Sequence, residues 1–134
     1  MTVYVPSDAA RTVADWLKTE LATAFPTLTT GLELPSSWSK TSAPALVVFD
    51  DAGPIRAAEW PVVTRPLLRV TVWAGGRSEA RTVAGRALGL LLCKPVPGVA
   101  RVKPATQLLD TRDSNTGGYV ASFTVNTTVR TVAL

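Results

Sequence analysis

The fold is decided by residues 119–132, which read YVASFTVNTTVRTV. From residue 122 to residue 130, apolar residues and one threonine at odd positions alternate with polar residues at even positions. This period of two predicts a strand of an antiparallel sheet with one buried face. Fully extended, the fifteen residues from Tyr119 to Ala133 would reach about 50 Å, whereas a compact chain of this length is about 36 Å across. We therefore expect the strand to bend, to break at a bulge, or to lie partly against a neighbouring molecule.

Two amphipathic helices are predicted. The first begins at Ser7 or Asp8, whose side chain can cap it, and ends near Phe25, before Pro26. The second begins at Ser78 and ends at Lys94. The core-facing positions recur every three or four residues: Val13, Trp16, Leu17, Leu21 and Ala24, then Ala80, Val83, Ala84, Ala87, Leu88 and Leu91.

The C-terminal end of the second helix is apolar nearly all round, because Leu90, Leu92 and Cys93 add to its core-facing positions. We expect this end to be covered on more than one side. Cys93 is then a small buried hydrophobe, since the chain has no histidine to activate its thiol.

The other predicted strands are short runs bounded by Pro, Gly and Ser. They cover residues 31–34, 45–50, 67–73, 99–104 and 107–111. With the final run at 119–132, the order is one helix, three strands, one helix and three strands. We expect a single α+β domain over residues 1–134, an antiparallel or mixed sheet with both helices packed on one face.

Composition limits the function. The chain has 134 residues, no histidine and one cysteine, which excludes histidine bases, histidine-ligated metals and disulfide frameworks. We therefore expect no catalysis, no cofactor and no metal. The net charge of +4 comes from cations scattered singly along the sequence, which favours a solvated surface over a nucleic-acid-binding face. Neither a secretory signal nor a membrane-spanning run is expected.

Three polar motifs each allow a functional and a structural interpretation. The Gly75-Gly76 turn, followed by Arg77 and Arg81, could hold an anion, but a tight turn before a helix is favoured. Residues 110–118 resemble a calcium loop but lack its final glutamate, so a polar hairpin tip is favoured. Asp50 and Asp51 are adjacent in a strand and point to opposite faces, so they are interpreted as the end of that strand.

Two tryptophans, Trp38 and Trp60, lie in segments without a helix or strand pattern. Each either covers the edge of the core or anchors a partner, and both alternatives stay open. The segment 51–66 is long for an unstructured connection and is the first interface candidate. We expect this segment and the 110–118 hairpin tip to contact other protein molecules rather than to close the core, through Arg56, Glu59, Trp60, Arg112 and Asp113.

The chain as a whole resembles the tail terminator, or tail-completion, proteins of long-tailed bacteriophages that infect high-GC actinobacteria. The resemblance rests on a pattern of segments: a helix at 8–24, strands at 46–50 and 67–74, a helix at 78–92 and a final strand at 124–130.

This resemblance implies a structural virion protein at the tail–neck junction, assembled in the host cytoplasm. It implies a ring, usually a hexamer, that caps the tail tube, stops its polymerisation and joins the tail to the head connector. The partners implied are further copies of the chain, the tail tube protein and the head–tail connector, while duplex DNA passes through the lumen without sequence readout and no membrane is contacted. Two alternatives stay open: a neck or head-closure connector, and a small nucleic-acid-binding module.

Overall fold

The computed structural model describes residues 1–53 and 55–134, which form two helices and nine strands. In chain order these are β1 (Tyr4–Val5), α1 (Ala9–Leu21), β2 (Thr29–Gly31), β3 (Ala45–Asp50), β4 (Val63–Thr64), β5 (Leu67–Ala74), α2 (Arg77–Cys93), β6 (Arg101–Pro104), β7 (Leu109–Arg112), β8 (Tyr119–Arg130) and β9 (Val132–Ala133). The predicted α+β fold is confirmed.

The main sheet is built around β8. On one side β8 pairs with β4 and β5, and the residue pairing continues from β4 to β5 without a shift. On the other side β8 pairs with β6 and β7. Beyond β5 lie β3, which is antiparallel to it, and β2, which is parallel to β3, so the sheet is mixed. The strands β1 and β9 form a separate two-stranded sheet, which we call the terminal ribbon.

The hydrophobic core lies between one face of the main sheet and the two helices. Alternate residues of β5 and β8 are fully buried on that face, and they meet the predicted stripe of each helix. These buried positions are Leu68, Val70, Val72, Phe123 and Val125 in the strands, Val13, Leu17 and Leu21 in α1, and Val83, Ala87 and Leu91 in α2. The prediction that both helices pack on one face is therefore confirmed. The opposite face of the sheet carries neither helix of the described residues, and we call it the helix-free face.

The first helix is shorter than predicted. Asp8 is its N-cap, with the carboxylate accepting a hydrogen bond from the Arg11 backbone N–H at 3.1 Å. It ends at Leu21 rather than near Phe25, and Ala24 is exposed, not in the core. The ring of Pro26 disfavours helical backbone at Phe25, so the chain leaves the helix through a turn before reaching it.

The second helix runs from Arg77 to Cys93, one residue earlier at each end than predicted. The prediction that its C-terminal end is covered on more than one side is wrong, because Leu92 is 40% exposed and Cys93 is also exposed. Only one stripe of α2 meets the sheet, and the chain turns away at Lys94 and Pro95 without covering the outer side. Cys93 is thus a surface thiol rather than a buried hydrophobe.

Several strand predictions need correction. The strand expected at residues 31–34 lies at Thr29–Gly31, where it pairs in parallel with β3. The strands expected at 99–104 and 107–111 are the shorter β6 and β7, separated by residues 105–108. The N–H groups of Ala105 and Thr106 in this connection both donate to the Thr124 carbonyl. The short strands β1 and β4 were not predicted, because two residues carry no periodic signal.

The long final strand breaks at Thr131. Its backbone N–H donates to the Val62 carbonyl at 3.1 Å and its hydroxyl donates to the Pro61 carbonyl. After this residue β9 leaves the main sheet and pairs with β1. The final run, which is too long for one straight strand of this domain, is therefore divided into β8 and β9 by a break at Thr131. In the predicted 51–66 loop, β4 and a turn at 56–60 are ordered, and Pro54 lies outside the described residues.

Candidate functional site

The face of the main sheet opposite the helices carries an open groove of about 710 Å³. Its floor is formed by β3, β5 and β8, and β7 forms one wall. The main apolar residues lining it are Phe49, Trp73, Leu109 and Val120, and we call it the aromatic groove. Because Phe49 and Trp73 are only partly buried and Leu109 is 69% exposed, the described residues leave much of this apolar surface uncovered.

The aromatic side chains in the groove are held in fixed relation to one another. Phe49 and Trp73 meet edge to face, with ring centroids 6.3 Å apart. The Arg69 guanidinium lies 4.6 Å above the Phe49 ring, its direct cross-strand neighbour, and approaches Asp51 at 3.8 Å. The stacked cation gives the Phe49 ring a favourable contact within the chain.

Asp113 shapes the hairpin tip between β7 and β8. Its carboxylate accepts hydrogen bonds from the Thr116 hydroxyl at 2.8 Å, the Asn115 backbone N–H at 3.0 Å and the Trp73 indole N–H at 3.1 Å. These donors, the Thr116 hydroxyl foremost, lower the pKa of Asp113. Asp113 therefore closes a polar hairpin tip, as the favoured interpretation of 110–118 predicted, and fixes Trp73 in the groove.

Asp110 joins β7 to the start of α2. It accepts hydrogen bonds from Arg77 and from Arg81, each at 2.7 Å. These two bonds lower the pKa of Asp110, with Arg77 contributing most. Both arginines that could have served an anion site at Gly75-Gly76 thus bind an internal carboxylate, in agreement with the interpretation of this motif as a turn.

Trp38 covers the end of the sheet beside the groove. It is 8% exposed, and its indole N–H donates to the Ala43 carbonyl at 2.8 Å. Its ring lies so close to Gly118 that a Cβ there would come within 2.8 Å of it. Trp38 therefore covers the edge of the core, which is the first of the two alternatives left open for it.

The opposite end of the helix-free face is polar and positively charged. Glu59 accepts two hydrogen bonds from Arg65, at 2.7 and 2.9 Å, and Arg56 approaches it at 3.6 Å. The bond from Arg65 lowers the pKa of Glu59 and raises that of Arg65. Arg65 also donates to the Thr128 hydroxyl at 3.2 Å, and Arg56, Arg65 and Lys103 border one concavity of about 400 Å³.

The predicted interface residues fall into two separate groups. Arg56, Glu59 and Trp60 lie near the Arg130 end of β8, and Trp60 is half-buried. Arg112 and Asp113 lie at the Tyr119 end. Roughly 35 Å of strand separates the two ends, so the structure does not bring the groups together.

The groove itself was missed in the sequence, although a signal was present. Phe49 and Trp73 occupy positions of β3 and β5 that alternate with the core positions, where a half-buried sheet would carry polar residues. Large aromatic residues at such positions indicate a second, uncovered apolar face.

The described residues form neither a cluster of metal ligands nor a membrane-spanning helix. Within residues 1–53 and 55–134, no three His, Cys, Asp or Glu side chains are grouped so that they could hold a metal ion. Neither helix of that part of the chain is long and apolar enough to cross a membrane. No model of a known protein family matches the sequence, and no curated protein shows significant similarity to it.

Proposed function

We propose that this chain is a tail terminator: a structural subunit of a ring, usually hexameric, that caps a phage tail tube and joins the tail to the head connector. The observation that carries the proposal is the presence of two unlike apolar surfaces on one chain. One is the aromatic groove. The other is the terminal ribbon, which exposes Tyr4 and Val132 and is flanked by the exposed Val3 and Leu134.

The terminal ribbon is expected to be only marginally stable when it is exposed to water without a further strand. Two strands without a third are marginally stable, and both outer edges of such a ribbon offer unpaired backbone groups. Tyr4 is 42% exposed and Val132 is 48% exposed, so the ribbon also presents apolar side chains to solvent. A neighbouring subunit that packs on the ribbon would bury these side chains.

The positions of the two surfaces suit a ring. The ribbon follows the Arg130 end of β8, whereas Val120 and Trp73 place the groove toward the other end. Unlike patches on opposite sides of a subunit form a heterologous contact, which closes into a ring when the rotation allows. The same assembly would set the ring against the tail tube protein on one side and the head connector on the other, with DNA in the lumen and no cofactor.

Assembly of the purified chain tests the ring. We expect light scattering to give a mass several times 14.2 kDa, and negative-stain images to show a ring with a central hole. Leu109→Glu, which places a charge on the groove wall, should reduce the mass to that of a monomer. Leu92→Glu is the matched control, because Leu92 is an exposed leucine of α2 outside both surfaces. A wild-type protein that stays monomeric at high concentration would overturn the proposed ring.

Deletion of the gene from a producing phage tests the place of the ring in the virion. A tail terminator predicts tails of uncontrolled length and unjoined heads. Tails of normal length that remain unjoined would favour the neck or head-closure alternative instead.

A further inference from the structure

Cations that are far apart in the sequence lie close together on the helix-free face, at the Arg130 end of β8. Arg101 and Lys103 of β6 lie opposite Thr128 and Asn126 of β8, and all four residues project from the helix-free face, because Val102 and Thr127 between them face the core. Arg130, two residues beyond Thr128, projects from the same face.

Together with the two arginines beside Glu59, these residues form what we call the basic patch: Arg56, Arg65, Arg101, Lys103 and Arg130. The patch holds five of the fourteen Lys and Arg residues and one of the ten acidic residues, Glu59. The remaining nine cations and nine anions balance. The whole net charge of +4 is therefore located on this one surface, where the linear sequence had indicated scattered charge.

The patch cations differ in whether they have a carboxylate partner. Arg65 and Arg56 share Glu59, whereas Arg101, Lys103 and Arg130 have no carboxylate within 4.0 Å in the described part of the chain. All three are exposed. Their charge is available to an external anion.

The surroundings of these cations suit a phosphate backbone rather than exposed bases. The surface between them consists of Asn126 and Thr128, side chains that hydrogen-bond phosphate oxygens in protein–DNA complexes. Single-stranded nucleic acid would need aromatic platforms for stacking. Phe49 and Trp73 lie in the groove instead, beside Asp113. Near the patch lies a single half-buried aromatic residue, Trp60, among the described residues, which is not a series of stacking platforms.

We propose that the basic patch binds the phosphate backbone of duplex DNA without reading its sequence. The choice of duplex DNA as the polyanion rests on the proposed function, in which DNA passes the ring. The cations then contact the passing duplex through a defined strip of each subunit, and the contact weakens steeply as the salt concentration rises because its main component is electrostatic.

Salt-dependent binding of short fluorescent duplexes tests this assignment. For each phosphate contact, the slope of log affinity against log salt changes by about 0.9. Replacing Arg101, Lys103 and Arg130 by glutamine should make the slope about 2.7 less steep, which reduces the loss of affinity between about 50 and about 200 mM salt by about 40-fold. Two duplexes of unrelated sequence should bind wild-type protein equally.

The matched control removes the same charge elsewhere. Lys18, Lys40 and Arg86 are exposed and lie outside the patch, and replacing them by glutamine should leave the slope unchanged. Circular dichroism and light scattering on all three proteins check folding and ring formation. Equal losses in both triple variants, sequence-dependent binding, or binding to polyglutamate but not to duplex would overturn the assignment.

The same samples separate this proposal from the ring. A ring whose DNA binding is absent at low salt overturns the patch alone. A monomer that binds duplex with the expected slope overturns the ring and supports the patch.

Discussion

Replacing Gly75 by alanine should displace the segment around Trp38, which covers one end of the main sheet beside the aromatic groove. Gly75 lies between β5 and α2, and a Cβ added there would come within 2.5 Å of the Lys40 carbonyl oxygen. Cβ atoms essentially never approach another heavy atom closer than 3.0 Å, so the two backbones must separate by about 0.5 Å. Neither atom belongs to a flexible side chain that could rotate away. The strain therefore falls on the segment that carries Trp38 and Leu34, a residue lining the groove.

The loss of unfolding free energy in Gly75→Ala should resemble that of overpacked cores, where inserted atoms that force backbone shifts destabilise a protein by about 1 to 3 kcal/mol. Gly89→Ala is the matched control with the opposite sign. Gly89 is exposed in the interior of α2, and a Cβ there meets nothing within 4 Å. Alanine is favoured over glycine by about 0.5 to 1 kcal/mol inside a helix, so this variant should be more stable than wild type.

Urea unfolding measures both effects. With an m-value of about 1.5 kcal/mol/M, Gly75→Ala should lower the midpoint by about 0.7 to 2 M and Gly89→Ala should raise it by about 0.3 to 0.7 M. Native-state fluorescence gives a second readout, because displacement of the Lys40 segment should change the environment of Trp38. If Gly75→Ala unfolds at the wild-type midpoint while Gly89→Ala is stabilised, the close approach of these two backbone segments is wrong.

Three further predictions test other parts of the structure. Leu17→Ala should destabilise by about 2 to 5 kcal/mol because Leu17 is fully buried, and a loss under about 0.5 kcal/mol in denaturant melts would contradict its place in the core. The lowered pKa of Asp110 gives stability that is present above the unfolded value of about 4 and is lost as the pH falls through the folded pKa. The Asp110→Asn variant should therefore have a lower free energy of unfolding than wild type at neutral pH, and it should lose less of that free energy when the pH is lowered. Urea melts at several pH values measure both, and an equal change of unfolding free energy with pH in the two proteins would refute this link. Exposed Cys93 should react with a thiol reagent in the native protein at the rate of a free thiol, whereas protection until unfolding would restore the buried position expected from sequence.

The helices and long strands were predictable because each carries a periodic signal. The stripe through Val13, Leu17 and Leu21 predicted α1, and the alternation in 119–132 predicted β8 as a strand with one buried face. The central position of β8 in the sheet is seen only in the structure. The errors lie where periodicity stops. Leu92 and Cys93 suggested a covered helix end, but composition does not state how many neighbours a helix has, and in the fold α2 meets only one sheet face.

The candidate site was less accessible from sequence. Asp113 was named as an interface residue, and the structure gives it a further role that sequence could not supply, since Trp73 is forty residues away in the chain. The basic patch was missed for the same reason. Arg101, Lys103 and Arg130 become neighbours only through the β6–β8 register, so a scan for basic runs along the chain does not detect them.

The two ends of the helix-free face differ in chemistry, and this difference restricts how subunits can be arranged. The aromatic groove favours burial against apolar surface, while the unpaired cations of the basic patch would lose hydration without compensation in such a contact. A ring contact that covers the groove must therefore leave the patch accessible to solvent or to an anion. The β8 strand runs through both regions, with Val120 in the groove and Arg130 at the patch. If the ribbon of one subunit meets the groove of the next, both ends of β8 must lie at a similar distance from the ring axis. The patch can then face DNA in the lumen only if the helix-free face near Arg130 turns toward the axis while the ribbon beyond Arg130 reaches the neighbouring subunit.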